Sequence, residues 1–446
     1  MKFYLCELKV NGCKNINKAI NLKFCNSTIK TNVNFENSNV KAIYGPNGAG
    51  KSAIVTAMHI YERLICNGYG LNDSYFSNFV KESINKETNK LEIEATVLLY
   101  NSKDNSYIST FKHYIRIIKK NNNIFIDAEK IYKLLGNYIA EEKFKKLIDI
   151  EEGKIIEVDG LSNVEDSSIY KKSLNLLDKK SIINMDYITI ENKNKALNKY
   201  EVAIITLNMF AYNIIVSMEK EDLHTNYLKS LEIDEIFKDF KTEITEEDIF
   251  NFSVKDRDLV KVEHINNYLN NIKKLEKFIK VFKTDLKFIE VDKKINDDVY
   301  YCNKIFHYNN SNGIDIEFES TGIKKLVRLF NALLACTNGK IVFIDEFDAN
   351  LHDVYFAKLV EFLKNYAKGQ LCFTTHNLEP IEVLKDNSYS LDFLSNDSRV
   401  ASWVKNGNKS PMKQYVNGLI DYSPFNVYDI DFIDSLIEEK ENKQQK

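Results

Sequence analysis

Residues Gly45 to Ser52 read Gly-Pro-Asn-Gly-Ala-Gly-Lys-Ser and follow directly on the apolar run Ala42-Ile43-Tyr44. Glycines at this density let a backbone curl tightly enough to turn successive N–H groups onto one anion. The segment Ser52 to Met58 has the composition of a helix start, and a helix N-terminus adds positive potential at the same place. The anion this spacing suits is the phosphate tail of a nucleoside triphosphate. Gly45, Pro46, Asn47, Gly48, Ala49, Gly50, Lys51, Ser52 and Ala53 are the expected binding residues. Lys51 would reach the β- and γ-phosphates, and the Ser52 hydroxyl would be a ligand for Mg²⁺. A Gly-rich turn that merely matched the pattern would have no reason to sit between a strand and a helix.

Further along, Lys340-Ile341-Val342-Phe343-Ile344 is an apolar strand delivering Asp345 and Glu346 at its carboxyl end. Asp345 is placed to bind Mg²⁺ through water and Glu346 to polarise the attacking water. Read alone, the pair could be an acidic turn after a strand. Ser320-Thr321-Gly322 precedes the helical stretch Ile323 to Ala335, again an anion-binding geometry at a helix N-terminus. A serine there is otherwise an ordinary N-cap. Gln370 to Thr374 reads as one more strand, ending in Thr375-His376, where a neutral imidazole could touch the γ-phosphate. The expected catalytic set is Glu346, His376 and Lys51. Ser320 and Gly322 join the nucleotide-binding set, and Ser52 and Asp345 form the metal set.

These groups need a scaffold, and the chain of 446 residues, 44% hydrophobic and 28% charged, is long enough for one large core or two domains. A net charge of −3 gives no global pull toward nucleic acid or anionic membrane. The seven cysteines show no C-x-x-C pair, so free thiols and a cytoplasmic setting are expected. The opening residues carry charge and do not read as a signal peptide. The most apolar stretch, Ala203 to Met218, is too short to span a bilayer and reads as a buried helix.

Four segments are expected. Residues 1–125 read as a β-rich lobe carrying the phosphate loop, with strands at Lys90 to Tyr100 and Ser106 to Lys119. Residues 126–285 read as a helical insertion, with charged-face periods at Ala140 to Ile148 and near-heptad apolar spacing from Ile265 to Phe282. Residues 286–395 return to strands, including Ile314 to Phe318, and then alternate helix and strand as a mostly parallel sheet requires. Residues 396–446 form a C-terminal extension, its end from Glu438 charged and expected to fray.

The phosphate loop, Ser320-x-Gly322, the Asp345-Glu346 pair, Ala349-Asn350-Leu351-His352 and Thr374-Thr375-His376 occur in an order that resembles the ABC-type ATPases. Within these the chain is similar to the SMC/RecF/OLD branch. Its opening segment Leu8 to Ile16 resembles that branch's first strand, with Cys13 in place of an aromatic. Glu319-Ser320-Thr321-Gly322 stands where Leu-Ser-Gly-Gly is usual and resembles stand-alone ATPases of anti-phage systems of the AbiL, Septu and PARIS types. The tail segments Gln414 to Ile420 and Ser423 to Asn426 look like the ends of such chains.

The resemblance implies an α/β ABC-type ATPase head, with a mixed or parallel sheet, an antiparallel β-lobe and a helical insertion. It implies ATP and Mg²⁺ as cofactors. It also implies a homo-oligomer, at least an ATP-dependent dimer, in which Ser320 and Gly322 of one copy close over nucleotide held by another. Such ATPases usually carry a Gln after the phosphate-loop helix, but this chain has none before Gln370, so that either Asn78 or Asn85 substitutes or the role is absent. The leading expectation is a cytoplasmic ATPase that senses a phage-derived trigger and controls a separate effector, such as a Toprim-type or other nuclease encoded nearby. The alternatives are a RecF/SMC-like DNA-repair ATPase, with DNA binding left open, and a nucleotide-gated scaffold with little hydrolysis. No membrane partner is expected.

Overall fold

The computed structural model describes residues 1–29, 39–165, 171, 175–184, 197–218, 252–255, 257–296, 298–309, 312–387, 389–403 and 410–420. The chain opens with β1 (Lys2–Asn11) and β2 (Ile20–Lys23), paired antiparallel with Leu8 opposite Leu22. β3 (Val40–Tyr44) is buried along its whole length, as a strand covered on both faces must be. It feeds the phosphate loop and α1 (Lys51–Cys66). After α2 (Ser74–Ser83), capped by the Asp73 side chain, come five strands. They are β4 (Lys90–Tyr100), β5 (Tyr107–Lys120), β6 (Asn123–Leu134), β7 (Phe144–Glu151) and β8 (Lys154–Val158). With β1 and β2 they form a seven-stranded antiparallel sheet, ordered β2-β1-β4-β5-β6-β7-β8.

Two expectations for this region do not hold. Residues 126–158 are not helical; they extend the antiparallel lobe, and Ala140 to Ile148 is a short 3₁₀ turn running into β7. The charges that read as one helix face pair across strands or along β7 itself. Lys146 meets Asp149 at 2.6 Å, Lys130 meets Glu151 at 2.5 Å, and Lys145 meets Asp159 at 2.7 Å. The cysteines are not all free either: Cys6 and Cys25 are joined by a disulfide, with Cα atoms 5.2 Å apart. The β1–β2 pairing brings them together, because the Phe24 N–H donates to the Cys6 carbonyl at 2.8 Å. Cys13, Cys66, Cys302, Cys336 and Cys372 are free and buried.

The next elements are α3 (Lys199–Tyr212) and β9 (Ile214–Ser217). The buried helix expected over Ala203 to Met218 therefore stops at Tyr212, and its apolar end is a strand. β10 (Asp258–Lys261), α4 (Ile265–Phe282), β11 (Leu286–Asn296), β12 (Val299–Tyr308) and β13 (Ile314–Asp315) make a small antiparallel unit with α4 packed on it. The strand expected at Ile314 to Phe318 is two residues of β13 and a 3₁₀ turn. The helix over Ile265 to Phe282 is as expected. Much of the intended helical insertion, including 219–251, lies outside the described residues, as do Ser423 to Asn426 and the tail from Glu438.

α5 (Thr321–Thr337), β14 (Ile341–Ile344), α6 (Asp353–Tyr366), β15 (Gln370–Thr374), α7 (Glu379–Leu384), β16 (Leu391–Leu394), β17 (Val400–Ser402) and α8 (Pro411–Val416) complete the described chain. The second large sheet has the order β17-β16-β3-β15-β14-β9, parallel except at β17. The fold is thus α/β: a mostly parallel sheet carrying the phosphate loop, beside an antiparallel lobe.

Of the helices, α1 joins these layers. Nearly all its residues are buried, and its apolar side chains share one core with the antiparallel lobe and with Phe343 and Cys372 of the parallel sheet. A buried polar chain adds direction to that packing. The Tyr61 hydroxyl meets His113 at 3.0 Å, and His113 meets Glu129 at 3.0 Å. Glu129 also accepts from the Ser181 hydroxyl and the Ile182 amide. Every one of these groups has a partner, as burial demands.

Candidate functional site

In an open parallel sheet, ligands bind beyond the carboxyl ends of the strands. Here β3 ends at the phosphate loop, β14 at Asp345 and Glu346, β15 at Thr375 and His376, and β9 at Ser217. Because β15 lies between β3 and β14 in the sheet, these ends form one edge. The structure therefore gathers Lys51, Ser52, Asp345, Glu346 and His376, which are far apart in the chain.

The phosphate loop depends on glycine at two places where another residue would collide. A Cβ on Gly45 would lie 2.4 Å from the Leu394 carbonyl oxygen. A Cβ on Gly50 would lie 2.8 Å from Ile16, and Gly50 has φ 101°, in the left-handed region. Ile16 and Asn15 come from the loop after β1, and the Asn15 amide donates to the Gly48 carbonyl. Asn15 is a contact that the motif spacing did not point to. The Lys51 ammonium donates to the carbonyls of Gly45 at 2.7 Å and Pro46 at 3.0 Å, which keeps it folded over the loop. Burial lowers its pKa, while the charges of Asp345, Glu346 and Asp348 oppose that shift. The three acids thus lie near enough to feel the loop lysine.

Thr374 organises the acid pair. Its hydroxyl donates to Asp345 Oδ1 at 2.6 Å and accepts the Glu346 N–H at 2.8 Å. Glu346 itself has φ 47°, a left-handed conformation that a non-glycine residue adopts at some cost. The Thr374 hydroxyl and the following Phe347 N–H, bonded to the Thr374 carbonyl at 3.0 Å, hold that turn in place. The outcome is a Glu346 side chain exposed at the sheet edge beside a fixed Asp345. Sequence reading singled out the Thr-Thr-His run for its imidazole; a strand-end threonine next to an acid-ended strand was the available signal for Thr374.

The His376 N–H donates to Asp348 at 3.3 Å. Burial and the Lys51 charge lower its pKa from 6.5, so the imidazole is neutral at pH 7. The following Asn377 amide donates to Asp353 at 2.7 Å, which ties this loop to the start of α6.

Ser320 caps α5, its hydroxyl accepting the Ile323 N–H at 3.3 Å. Ser320 and Thr321 are exposed. Gly322 faces the Asn350 carbonyl, 3.8 Å from where its Cβ would be. The turn thus adjoins the segment around Asn350. Of the two proposed glutamine substitutes, Asn85 is committed elsewhere. The Asn85 amide donates to the Lys14 carbonyl, and its oxygen accepts from Glu87 and Thr88, which engages it as a turn anchor. Asn78 is exposed on α2.

For Mg²⁺, a hydroxyl and a carboxylate are hard oxygen donors of the right kind. Asp345 keeps one oxygen beyond the Thr374 bond, and Ser52 is partly exposed at the start of α1. Among the described residues no cluster of three or more His, Cys, Asp or Glu side chains could hold a metal, so phosphate oxygens and water would have to complete its shell. An apolar groove of about 410 Å³ between α4, α5 and α6, lined in part by Phe278, Phe330 and Phe362, shares no residue with this site. No described helix is long and apolar enough to cross a membrane.

Three solved structures are similar to the chain at low identity. An SMC head bound to the C-winged helix domain of ScpA is 14% identical, with 90% of this chain and 98% of that one covered and a TM-score of 0.44. An Smc head with an extended coiled coil, bound to the C-terminal domain of ScpA derived from Pyrococcus furiosus, is 13% identical, with 94% and 98% covered and a TM-score of 0.45. The recombination mediator protein RecF is 14% identical, with 90% and 99% covered and a TM-score of 0.38. No curated protein matches the chain. One family matches residues 99–382, more than half of the chain and all of the segment from β5 through the acid pair and His376. The chain belongs to that family, described as "AAA domain, putative AbiEii toxin, Type IV TA system".

Proposed function

We propose that this chain is a Mg²⁺-dependent ATPase whose site is completed by a second copy and whose nucleotide state controls a separate effector in anti-phage defence. The observation that carries the reading is the convergence of the phosphate loop, the Asp345–Glu346 pair and His376 at adjacent ends of one parallel sheet. Lys51 would leave the loop carbonyls for the β- and γ-phosphates. Ser52 and Asp345 would hold Mg²⁺, which when bound screens the phosphate charge. Glu346 accepts the proton of the attacking water, and neutral His376 touches the γ-phosphate through its ring N–H while its other ring nitrogen accepts a hydrogen bond from that water. The exposed Ser320–Gly322 turn of another copy closes the site, so that ATP joins two heads and its loss parts them.

The family's description as a toxin of a toxin–antitoxin system supports a defence role. The effector proposed is a nuclease, of Toprim or another type, encoded nearby and released by a phage-derived trigger. A cytoplasmic setting is part of the proposal, and the reducing pool there would hold Cys6 and Cys25 as a dithiol.

The test is Glu346→Gln. With the general base removed, ATP turnover falls by about 10² to 10⁴, while ATP affinity is kept and the protein becomes an ATP-stabilised dimer on size exclusion. Equal, low turnover in wild type and variant would point instead to a nucleotide-gated scaffold.

A further inference from the structure

We propose that Glu319 and Tyr308 act as a strut that sequesters a negative charge and aims the Ser320–Gly322 turn, and so set how firmly one copy grips nucleotide held by the other. This rests on the composite-site reading above and names two positioning residues for it.

The difficulty is electrostatic. A turn meant to meet a γ-phosphate is preceded by a carboxylate. Glu319 is only 9% exposed, and both its oxygens are engaged. The Tyr308 hydroxyl donates to Oε1 at 2.6 Å, and the Ser320 N–H donates to Oε2 at 3.1 Å. Its charge is therefore turned inward against two donors, away from the face that a phosphate would approach. A carboxylate at a helix N-terminus is also stabilised by the helix dipole, so α5 gains from it.

Following the donors shows what the strut leaves over. The start of a helix has N–H groups without helical partners. The Ser320 N–H goes to Glu319, and the Ile323 N–H goes to the Ser320 hydroxyl oxygen. The Lys324 N–H goes to the Ser320 carbonyl at 3.0 Å. What the turn's own bonds leave over is the Ser320 O–H proton and the amides of Thr321 and Gly322, on exposed or part-exposed residues. Glu319 holds the N–H of Ser320, whose backbone is extended (φ −60°, ψ 153°), and so fixes how these donors lie relative to one another.

Tyr308 is the last residue of β12, and the Lys283 ammonium lies 5.7 Å from its ring centre. Burial and the Glu319 charge push its pKa well up, so the hydroxyl stays a donor. The strut thus runs from the β10–β12 unit and the end of α4 to the turn. A shift of that unit would re-aim the turn without touching the phosphate loop.

The experiment uses the full chain carrying Glu346→Gln, with ATP, and reads the dimer dissociation constant by sedimentation. Tyr308→Phe leaves a half-paired buried carboxylate beside the seam, and the dimer weakens about tenfold. Fluorescent-ATP affinity of the monomer stays within about twofold, because Lys51 and its loop are untouched. Adding Glu319→Gln to Tyr308→Phe recovers most of the loss, and raising salt shrinks it. A packing defect would be neither rescued by removing the charge nor relieved by salt. Glu319→Gln alone serves if Tyr308→Phe lowers the melting temperature sharply: the strut predicts a dimer as tight as the parent's or tighter. A dimer constant unchanged in Tyr308→Phe, or a double variant no better than Tyr308→Phe, overturns the strut alone. A parent that stays monomeric with ATP overturns the composite site and the strut with it.

Discussion

Glu346 is held in a conformation it would not choose. Its φ of 47° is tolerated because Thr374 accepts its N–H and, through the same hydroxyl, fixes Asp345. One side chain on β15 therefore orients both members of the acid pair on β14. Next to it, His376 offers a readable titration. Its pKa lies below 6.5 through burial and the Lys51 charge, so the neutral form persists through neutral pH. The sign follows directly: protonation below that pKa removes the acceptor, so ATP turnover falls as pH drops through the region under 6.5. His376→Ala lowers turnover about 10-fold to 10²-fold and flattens that acid limb. Folding carries the same sign, since the unfolded imidazole binds protons more readily and stability declines as pH falls through this window. Turnover of His376→Ala across pH 5 to 8 is the check, and an unchanged acid limb removes His376 from the mechanism.

Between elements, much is legible in the sequence alone. The strand–loop–helix order at Ala42 to Met58, the strand Lys90 to Tyr100, the helix over Ile265 to Phe282 and the strands ending in Asp345 and Thr374 all carry their own period or length signal. Two failures are instructive. β7 was hidden because Lys145, Lys146 and Asp149 find partners across and beside strands, so its charges mimic a helix face. β9 was hidden because three apolar residues and a serine after a buried helix show no period of their own. Long-range contacts leave no local trace either. Gln370, from the parallel sheet, accepts the Leu5 N–H at 2.6 Å and donates to the Leu5 carbonyl at 3.0 Å, beside the register shift in β1. A buried amide thus takes the place of a strand where pairing is irregular. Gln370→Leu leaves a buried N–H and C=O unpaired and is expected to cost about 2–4 kcal/mol of stability, with ATP affinity kept. Chemical denaturation checks it, and a loss under about 0.5 kcal/mol would mean that water or a backbone shift satisfies Leu5.

At the scale of the molecule, the question is what a second copy would meet. The loop side is recessed: Lys51 is 8% exposed, and α1 is enclosed between two sheets. The signature side is the opposite. Phe318, next to the buried Glu319, is 78% exposed, and Val354 at the start of α6 is 63% exposed. A large aromatic in water beside an exposed donor turn is apolar area that a partner would gain by covering. Under the proposed function, ATP supplies the polar centre of the seam and Phe318 an apolar anchor at its edge. Nucleotide alone would then not have to provide all of the differential affinity that a population shift needs. Phe318→Glu separates this from a role within one chain. An exposed side chain contributes little to the monomer, so the melting temperature should stay within what about 0.5 kcal/mol allows. The ATP-dependent dimer of the Glu346→Gln protein should weaken at least about tenfold, since a charge would be buried where an aromatic packs. Phe318→Leu should keep most of the affinity. If Phe318→Glu dimerises with ATP as readily as its parent, Phe318 faces away from the seam, and its exposure belongs to a surface that meets a different protein.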